Sequence, residues 1–429
     1  MNDNLKILHI NTFAEGGGAA RALARLRKSF RVAGMETELL VAYRGGHLEA
    51  GIIKKHPVLG ETFADLRRHL DALPVRFTPK RPVTSFAPAV VPDLLPQQID
   101  RLKPEIVHLH WLGAGFCRLE SLARINRPLV WTLHDMWAFS GGCFYAGNCT
   151  AYKQMCGKCP QLGSKRDVDL SRRIWRRKAR SWKNMNLTVV TPSHWLADCA
   201  RQSSLFKNRR IEVIPNAVET DIFKPEDPGY CRSRLNLPEN KKFILFGAIN
   251  AASDKRKGFT YLQKALQILS QKGMNDTVEL LVYGASEPKT PPDLGLPARF
   301  MGYIHDDISL AMLYSAADVT VVPSLEDNLP NVVVEALACG TPCVAFNIGG
   351  MPDMITHKQN GYLADPFETE DLAEGIKWVL QCRESDENLR KNARMKAEQI
   401  YSLKMIAKLH LDLYADIMQP RSLIGKTPK

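Results

Sequence analysis

Long apolar runs are missing from this chain of 429 residues. None reaches the ~18 residues that a membrane-spanning helix needs, so no span is expected. Low-complexity tracts and internal repeats are missing too, which excludes a solenoid or a collagen-like rod. The opening residues, Met1 to Ile10, carry neither a basic cluster nor a long apolar segment. They read as a first strand and not as a signal peptide, and a cytosolic setting is expected. Acidic residues are scarce in one half only. Residues 1–210 hold 34 Lys+Arg against 16 Asp+Glu, a balance of +18, whereas the remainder holds 24 against 29, or −5. An anionic partner for the first half is expected: a membrane surface, a nucleic acid or an anionic lipid-linked substrate.

What is present is a globular composition, 45% hydrophobic and 24% charged, in a length that suits two or three domains. Of ten cysteines, Cys117, Cys199, Cys231, Cys339, Cys343 and Cys382 are scattered in mostly apolar contexts and read as core. Cys143, Cys149, Cys156 and Cys159 cluster. The second pair is a Cys-x2-Cys knuckle and the first is more loosely spaced. A structural zinc held by four thiolates is the sharper reading, with free thiols as the alternative and a disulfide last.

Strand and helix patterns alternate along the chain. Residues 5–10 form an apolar strand, followed by Gly16-Gly17-Gly18 and a helix over 19–32. A strand, a glycine loop and a helix can bring backbone N–H groups to a phosphate or a sugar; tight helix packing explains the glycines as well. Residues 57–96 read as a basic, partly helical excursion that lies on a membrane, covers an acceptor site, or is an ordinary surface insertion. The strand at 105–111 carries His108 and His110 on one face, either as metal ligands or as cleft residues. The strand at 128–133 ends in His134 and Asp135. Ligands of open α/β sheets bind beyond the carboxyl ends of strands, so these residues predict a cleft. Residues 170–184 interleave Arg and Lys with Ile174, Trp175 and Trp182, which suits a helix on a membrane surface or on nucleic acid, or a helix packed by its Trp side. Residues 219–240 are polar and Pro-rich and read as a linker. A second alternation follows, with strands at 243–248, 278–283, 319–322 and 343–346, and an apolar stripe on a last helix over 400–417.

The stretch 323–342 organises the second half. Pro323 and Ser324 stop a strand, Asn328 to Asn331 turn, and a helix runs over 332–338 to Gly340. Free N–H groups at that helix start make an anion site. Asp327 lies at its mouth, and Glu335 lies eight residues on, about two turns away. The bland reading is a capped helix with solvated acids.

Taken in order, Gly16-Gly-Gly, His108-x-His110, Thr132-Leu-His134-Asp135, Thr191-Pro-Ser193, Ile214-Pro-Asn216, Arg256-Lys257-Gly258, Pro323-Ser324, Asp327-x7-Glu335 and Ala338-Cys-Gly-Thr-Pro342 resemble a retaining glycosyltransferase of family GT4. The resemblance covers nearly the whole chain. The segment from His134 to Pro160 is similar to a bacterial subset from exopolysaccharide, O-antigen and colanic-acid-type clusters. The resemblance implies the α/β GT-B fold: two doubly wound Rossmann-like domains facing a central cleft. The expected limits are 1–215 for an acceptor-side domain, 216–240 for the linker, 241–398 for a nucleotide-sugar domain, and 399–418 for a helix crossing back.

It also implies roles. Glu335 holds the donor ribose, and Asp327 contacts the donor sugar. Leu329, Pro330 and Asn331 meet the diphosphate at the helix start. Lys257 neutralises that diphosphate, with Arg256 as a second cation. His134 lies near the reacting carbon, flanked by His110 and Asp135. Gly16, Gly17 and Gly18 approach the diphosphate or the acceptor. Two positions depart from the family. Asp327 replaces a Glu and is one methylene shorter, with Glu326 beside it as a substitute. Ala248 stands where many relatives have Arg.

The expected reaction moves a sugar from a UDP- or GDP-sugar to a lipid-linked glycan with retention, at the inner face of the plasma membrane. No cofactor is required for it. A nucleotide-sugar epimerase or phosphorylase of the same fold is the enzyme alternative. A zinc-containing nucleic-acid-binding protein is the third reading; it leaves most of the chain unexplained.

Overall fold

The computed structural model describes residues 5–45, 51–55, 60–80, 86–247, 254–287, 292–385 and 388–419. Ala248 and the loop start at Asn250 lie outside the described residues. The chain divides into two compact units. The first runs to Pro192 and takes in Ala197–Ile214 and the chain from Lys404 onward; the second is Ser193–Leu196 with Pro215–Leu403.

The first unit holds seven strands: β1 (Ile7–Phe13), β2 (Glu38–Tyr43), β3 (Ile52–Lys54), β4 (Ile106–Leu109), β5 (Leu129–Thr132), β6 (Leu187–Thr191) and β7 (Arg210–Val213). They pair in the order β3-β2-β1-β4-β5-β6-β7, every pair parallel. Parallel strands are covered on both faces. That is why β4, β5 and β6 are buried at every position. The helices are α1 (Gly17–Val32), α2 (Gly60–Arg76), α3 (Leu95–Leu102), α4 (Leu119–Leu122), α5 (Leu170–Ser181) and α6 (His194–Gln202), the last shared between the units.

The second unit opens with α7 (Pro228–Arg234), then β8 (Lys242–Gly247), α8 (Phe259–Gln271), β9 (Val278–Tyr283), β10 (Ala298–Gly302), α9 (Asp307–Ala316), β11 (Val319–Val322) and α10 (Asn331–Ala338). It continues with β12 (Cys343–Phe346), α11 (Met351–Met354), β13 (Gly361–Ala364), α12 (Thr369–Ser385) and α13 (Asn388–Lys396). α14 (Leu403–Met418) closes the fold, almost all of it in the first unit. The second sheet, β10-β9-β8-β11-β12-β13, is also wholly parallel. Its two faces can be read from β8. Phe243 and Leu245 enter one apolar cluster, Ile244 and Phe246 the other, as the two-residue period of a strand requires.

Counted within each unit, both sheets share the order 3-2-1-4-5-6, and the first adds a seventh strand beyond the sixth. Connections leave the first strand on one side and the fourth on the other, so a crevice opens there. The crevices fall between β1 and β4 and between β8 and β11.

Two expected segments differ. Residues 216–240 are folded into the second unit and are not a linker. Asp227 caps α7 by accepting from the Tyr230 N–H at 2.7 Å. Phe223, Cys231 and Leu237 are buried in the core. The basic helix over 170–184 is α5, and its apolar side is packed. Ile174 and Trp182 are buried, and the Trp182 indole donates to Leu119 O at 2.9 Å. Its charges are used internally as well: Arg177 pairs with Glu120 at 2.8 Å, and Lys178 is fully buried. This is the helix packed by its Trp side; Arg173, Arg176 and Arg180 form its exposed face.

Candidate functional site

Polar residues collect at both crevices. In the first unit, β1 and β4 lie side by side with His9 opposite His108. Positions two apart on a strand share a face, so His110 follows His108 there. All three are buried. His9 Nδ1 lies 3.1 Å from His110 Nε2, and His110 Nδ1 lies 3.4 Å from His134 Nε2. His108 bonds the Tyr414 hydroxyl at 2.6 Å and Thr132 Oγ1 at 2.8 Å. A charged ring loses its hydration when buried, so burial lowers the pKa of each. His9, His108 and His110 sit well below the usual histidine value, further depressed by one another. Loss of hydration takes His134 and His410 down to about 4. The rings are neutral at physiological pH.

Beyond the ends of β4 and β5 lies a small, partly enclosed crevice with room for about one water molecule. Trp111, Trp137 and Phe144 wall it, and His110, His134 and Asp135 supply its polar edge. The walls are held by their own bonds: the Trp137 indole donates to Ala87 O, and the Trp131 indole to His110 O. Asp135 accepts from the Trp137 N–H at 2.8 Å. Trp137 and Phe144 are buried, so the crevice presents the half-buried Trp111, His134 and Asp135 at its surface. At the β1 end, Gly16, Gly17 and Gly18 are exposed, with Gly16 and Gly17 at φ 82 and 78. No atom crowds either of the first two, so backbone conformation is what calls for glycine there.

In the second unit the loop after β8 meets the turn after β11. Lys257 Nζ donates to Asp327 Oδ2 at 2.8 Å, and Ser324 Oγ reaches the same oxygen at 3.4 Å. The Asn328 N–H donates to Asp327 Oδ1 at 3.0 Å. The two loops touch through backbone. The Leu325 N–H donates to Arg256 O at 2.6 Å. Gly258, at φ 69, lies where any Cβ would strike the Pro323 carbonyl. From the other side, Gly350 N donates to Asp327 O at 3.0 Å. The Asp327 carboxylate is thus held on three sides, while Lys257 keeps a side-chain exposure of 35%.

α10 starts at Asn331 without a side-chain cap, which leaves backbone donors at its start. Leu329 is buried; Glu326, Pro330 and Asn331 are half-buried. Glu335 is buried one turn into α10. Its Oε2 accepts from the Tyr314 hydroxyl at 3.0 Å, and Tyr314 in turn lies 2.9 Å from the Tyr283 hydroxyl. Burial, with Tyr283 and the Glu335 carboxylate alongside, raises Tyr314 well above an ordinary phenol, so it stays a donor. Arg256 is paired with Asp254 at 2.6 Å.

The structure therefore joins Lys257 with Asp327, and His110 with His134. His9, Tyr314 and Tyr283 were not among the expected residues. His9 is a single histidine inside an apolar strand, and only the β1–β4 register reveals its neighbours. The four clustered cysteines form no disulfide, Cys143 and Cys149 half-buried and Cys156 and Cys159 buried. They lie near enough to raise one another's pKa, and burial pushes Cys143 and Cys156 up to about 12. Among the described residues, the set whose ligand atoms all lie within 4.8 Å of one another is His9, His108 and His110, not the thiols.

Known proteins match both units. The model described as Glycosyltransferase Family 4 matches residues 16–222, and that described as Glycosyl transferases group 1 matches 231–396. An uncharacterized glycosyltransferase of Methanocaldococcus jannaschii is 28% identical over 49% of this chain and 55% of its own length. An Escherichia coli (strain K12) protein, named as a colanic acid biosynthesis glycosyl transferase, WcaC, is 26% identical over 63% of this chain and 66% of its own. The chain thus spans between half and two thirds of the length of these relatives. Among solved structures, sucrose-phosphate synthase from Thermosynechococcus elongatus superposes with a TM-score of 0.69 at 20% identity, over 96% of this chain and 99% of that one. Anabaena HepE in complex with UDP-glucose gives 0.63 at 18% identity, over 96% of this chain and 100% of that one.

Proposed function

The chain belongs to the GT4 glycosyltransferases, with the two Rossmann-like units of the GT-B fold, and from this we propose that it moves a sugar from a nucleotide-sugar donor to a glycan acceptor. The observation that carries the proposal is the Lys257–Asp327 pair at the β8/β11 crevice. A departing nucleoside diphosphate develops negative charge, and fixed donors aimed at that charge are the largest catalytic contribution such a site can make. Lys257 and the open start of α10 supply them. In the free protein Asp327 holds Lys257 in position. With donor bound, Lys257 turns to the diphosphate, and the Asp327 carboxylate is released to a sugar hydroxyl. Glu335, oriented by Tyr314, takes the ribose hydroxyls. HepE, of the same fold, was crystallised with UDP-glucose, which supports a UDP-sugar as the first donor to try.

The acceptor sugar meets the half-buried Trp111, with His134 and Asp135 bonding its hydroxyls. Retention follows if the bond to the diphosphate breaks as the acceptor oxygen arrives on the same face, with the leaving phosphate oxygen accepting its proton. The test is the anomeric configuration of the first-formed product, read by proton NMR with a donor of known anomer. An inverted product removes the retaining step.

A lipid-linked acceptor in surface polysaccharide synthesis is supported by the likeness to WcaC and by α2. That helix is built inside out. Ala64, Arg67 and Asp71 face the unit. Arg67 donates to Gly115 O at 3.0 Å, and Asp71 accepts from Val90 N at 2.7 Å. Leu66, Leu70, Leu73 and the following Phe77 face outward, Phe77 at 87% exposure, with Arg68 and Arg76 exposed beside them. An outward apolar stripe edged by arginine suits an anionic bilayer surface. Among the described residues no helix is long and apolar enough to cross a membrane, so the contact is peripheral. Leu70→Asp with Phe77→Asp is expected to lower sedimentation with phosphatidylglycerol vesicles at least tenfold; unchanged sedimentation removes α2 from this role. Structural zinc at Cys143, Cys149, Cys156 and Cys159 remains a separate proposal, read by the metal content of Cys156→Ser.

A further inference from the structure

Three imidazoles of the first unit are joined end to end. His9 Nδ1 lies 3.1 Å from His110 Nε2, and His110 Nδ1 lies 3.4 Å from His134 Nε2. Each link runs from the Nδ1 of one ring to the Nε2 of the next. A neutral imidazole carries one N–H and one lone pair, so only two protonation patterns keep both bonds. Either every ring holds its proton on Nδ1 and donates outward, or every ring holds it on Nε2 and donates inward. His108 stands outside the chain. Its nitrogens are taken by Tyr414 and Thr132, and its ring stacks on His110 with centroids 4.3 Å apart. The two patterns differ at the inner end. His9 Nε2 is buried and has no hydrogen-bond partner among the described residues. Inward donation would leave an N–H there; outward donation leaves a lone pair. Buried N–H groups without an acceptor are rarer than acceptors short of a donor. The Arg27 guanidinium is near enough to His9 to lower its pKa, and a cation there favours a lone pair over another positive N–H dipole. His410 gives His9 no acceptor at hydrogen-bond distance: its Nδ1 donates to Ile406 O at 3.0 Å, and its own Nε2 has no partner among the described residues.

We propose that His110, backed by His9, is a positioning residue that fixes His134 as its Nδ1–H tautomer, so that His134 meets a ligand hydroxyl as a hydrogen-bond donor and not as a base. His134 Nε2 is then occupied by the His110 N–H, and its other nitrogen already holds the proton. A second proton would break the bond to His110 and create an imidazolium stripped of its hydration, the form that burial disfavours in taking His134 down to about 4. The oxygen that meets His134 therefore offers a lone pair, and a hydroxyl's own proton turns to an acceptor such as the half-buried Asp135 carboxylate. The identity of the ligand rests on the proposed sugar transfer and agrees with it, since there the leaving phosphate, and not His134, takes the acceptor's proton. The tautomer itself does not rest on that reading.

Long-range proton–nitrogen correlation spectra of the full-length, ligand-free protein, isotope-labelled at histidine, read the tautomer of each ring whatever the chain transfers. His134→Gln assigns the His134 signals by their loss. Wild type is expected to show His134 as a single Nδ1–H tautomer at neutral pH. His110→Leu removes the donor to Nε2 and is expected to turn that pattern into a mixture of both tautomers. His110→Asn, whose amide N–H falls near the lost Nδ1, is expected to restore the single form, which a merely space-filling role would not do. Should neither His110 variant fold, the wild-type spectrum decides alone. An Nε2–H form or a mixture at His134 in wild type, or an unchanged single form in folded His110→Leu, overturns the proposal. Failure to bind any nucleotide sugar strikes the proposed function instead and leaves the tautomer standing.

Discussion

At the β1/β4 crevice the polar side chains are neutral rings with Asp135 at their edge; at the β8/β11 crevice they are a lysine and two carboxylates. The first six strands follow the same order in both sheets, so topology does not set the difference. Depth does. His9, His108 and His110 are 0–3% exposed, and burying a charge there costs more than leaving the ring neutral. Lys257 stays at 35% exposure beside a carboxylate, where an ion pair survives. The first crevice can therefore recognise hydroxyls and flat apolar faces, and the second can hold phosphate. On the proposed function, one fold uses its switch point twice, for the neutral partner and for the charged one.

Removing the charge that distinguishes the second crevice is the largest way to break this contrast. Lys257→Ala is expected to cut kcat by about 10²–10³-fold, with the melting temperature nearly unchanged because the side chain is partly exposed. Activity near wild type would show that charge at this crevice is not what catalysis uses.

A smaller break targets the support under Glu335. Tyr314→Phe removes the hydroxyl that donates to Oε2 at 3.0 Å. A buried carboxylate losing a donor costs about 1–3 kcal/mol, read as a lower denaturation midpoint and weaker donor binding. A neutral outcome would mean that Glu335 needs no positioning.

The contrast is sharpened by the lysine buried in the first unit. Lys178 donates to the carbonyls of Trp137 and Ser140, and burial lowers its pKa from 10.5 to about 7. Its folded value lies below its unfolded value, so between pH 7 and 10.5 the unfolded chain binds more protons and stability rises with pH. The gain is on the order of 1 kcal/mol per pH unit. Lys178→Met, compared with wild type from pH 7.5 to 9, is expected to lack that rise. Parallel curves would mean that the first unit tolerates a buried charge.

Where the chain is apolar and β-branched, its elements could be read to the residue. Strands at 278–283, 319–322 and 343–346 begin and end where the alternation predicts, because fully buried parallel strands need such runs. Composition misled at 219–240. Three apolar anchors, Phe223, Cys231 and Leu237, fold a stretch that is otherwise polar. At α5 it left the choice open, because an apolar stripe identifies a face but not what covers it. Isolated basic residues misled least on α2, where the outward leucines become meaningful only once Arg67 and Asp71 are seen to turn inward. In the candidate site, the eight-residue spacing of Asp327 and Glu335 was legible. Their partners were not, since Lys257 and Tyr314 arrive from loops and helices distant in sequence.

The most direct measurement is calorimetric titration of wild type and Lys257→Ala with UDP-, GDP- and ADP-sugars. The account predicts one-to-one binding of a single nucleotide class by wild type, weakened at least tenfold in Lys257→Ala. Binding of none of them, or binding indifferent to Lys257, would contradict it.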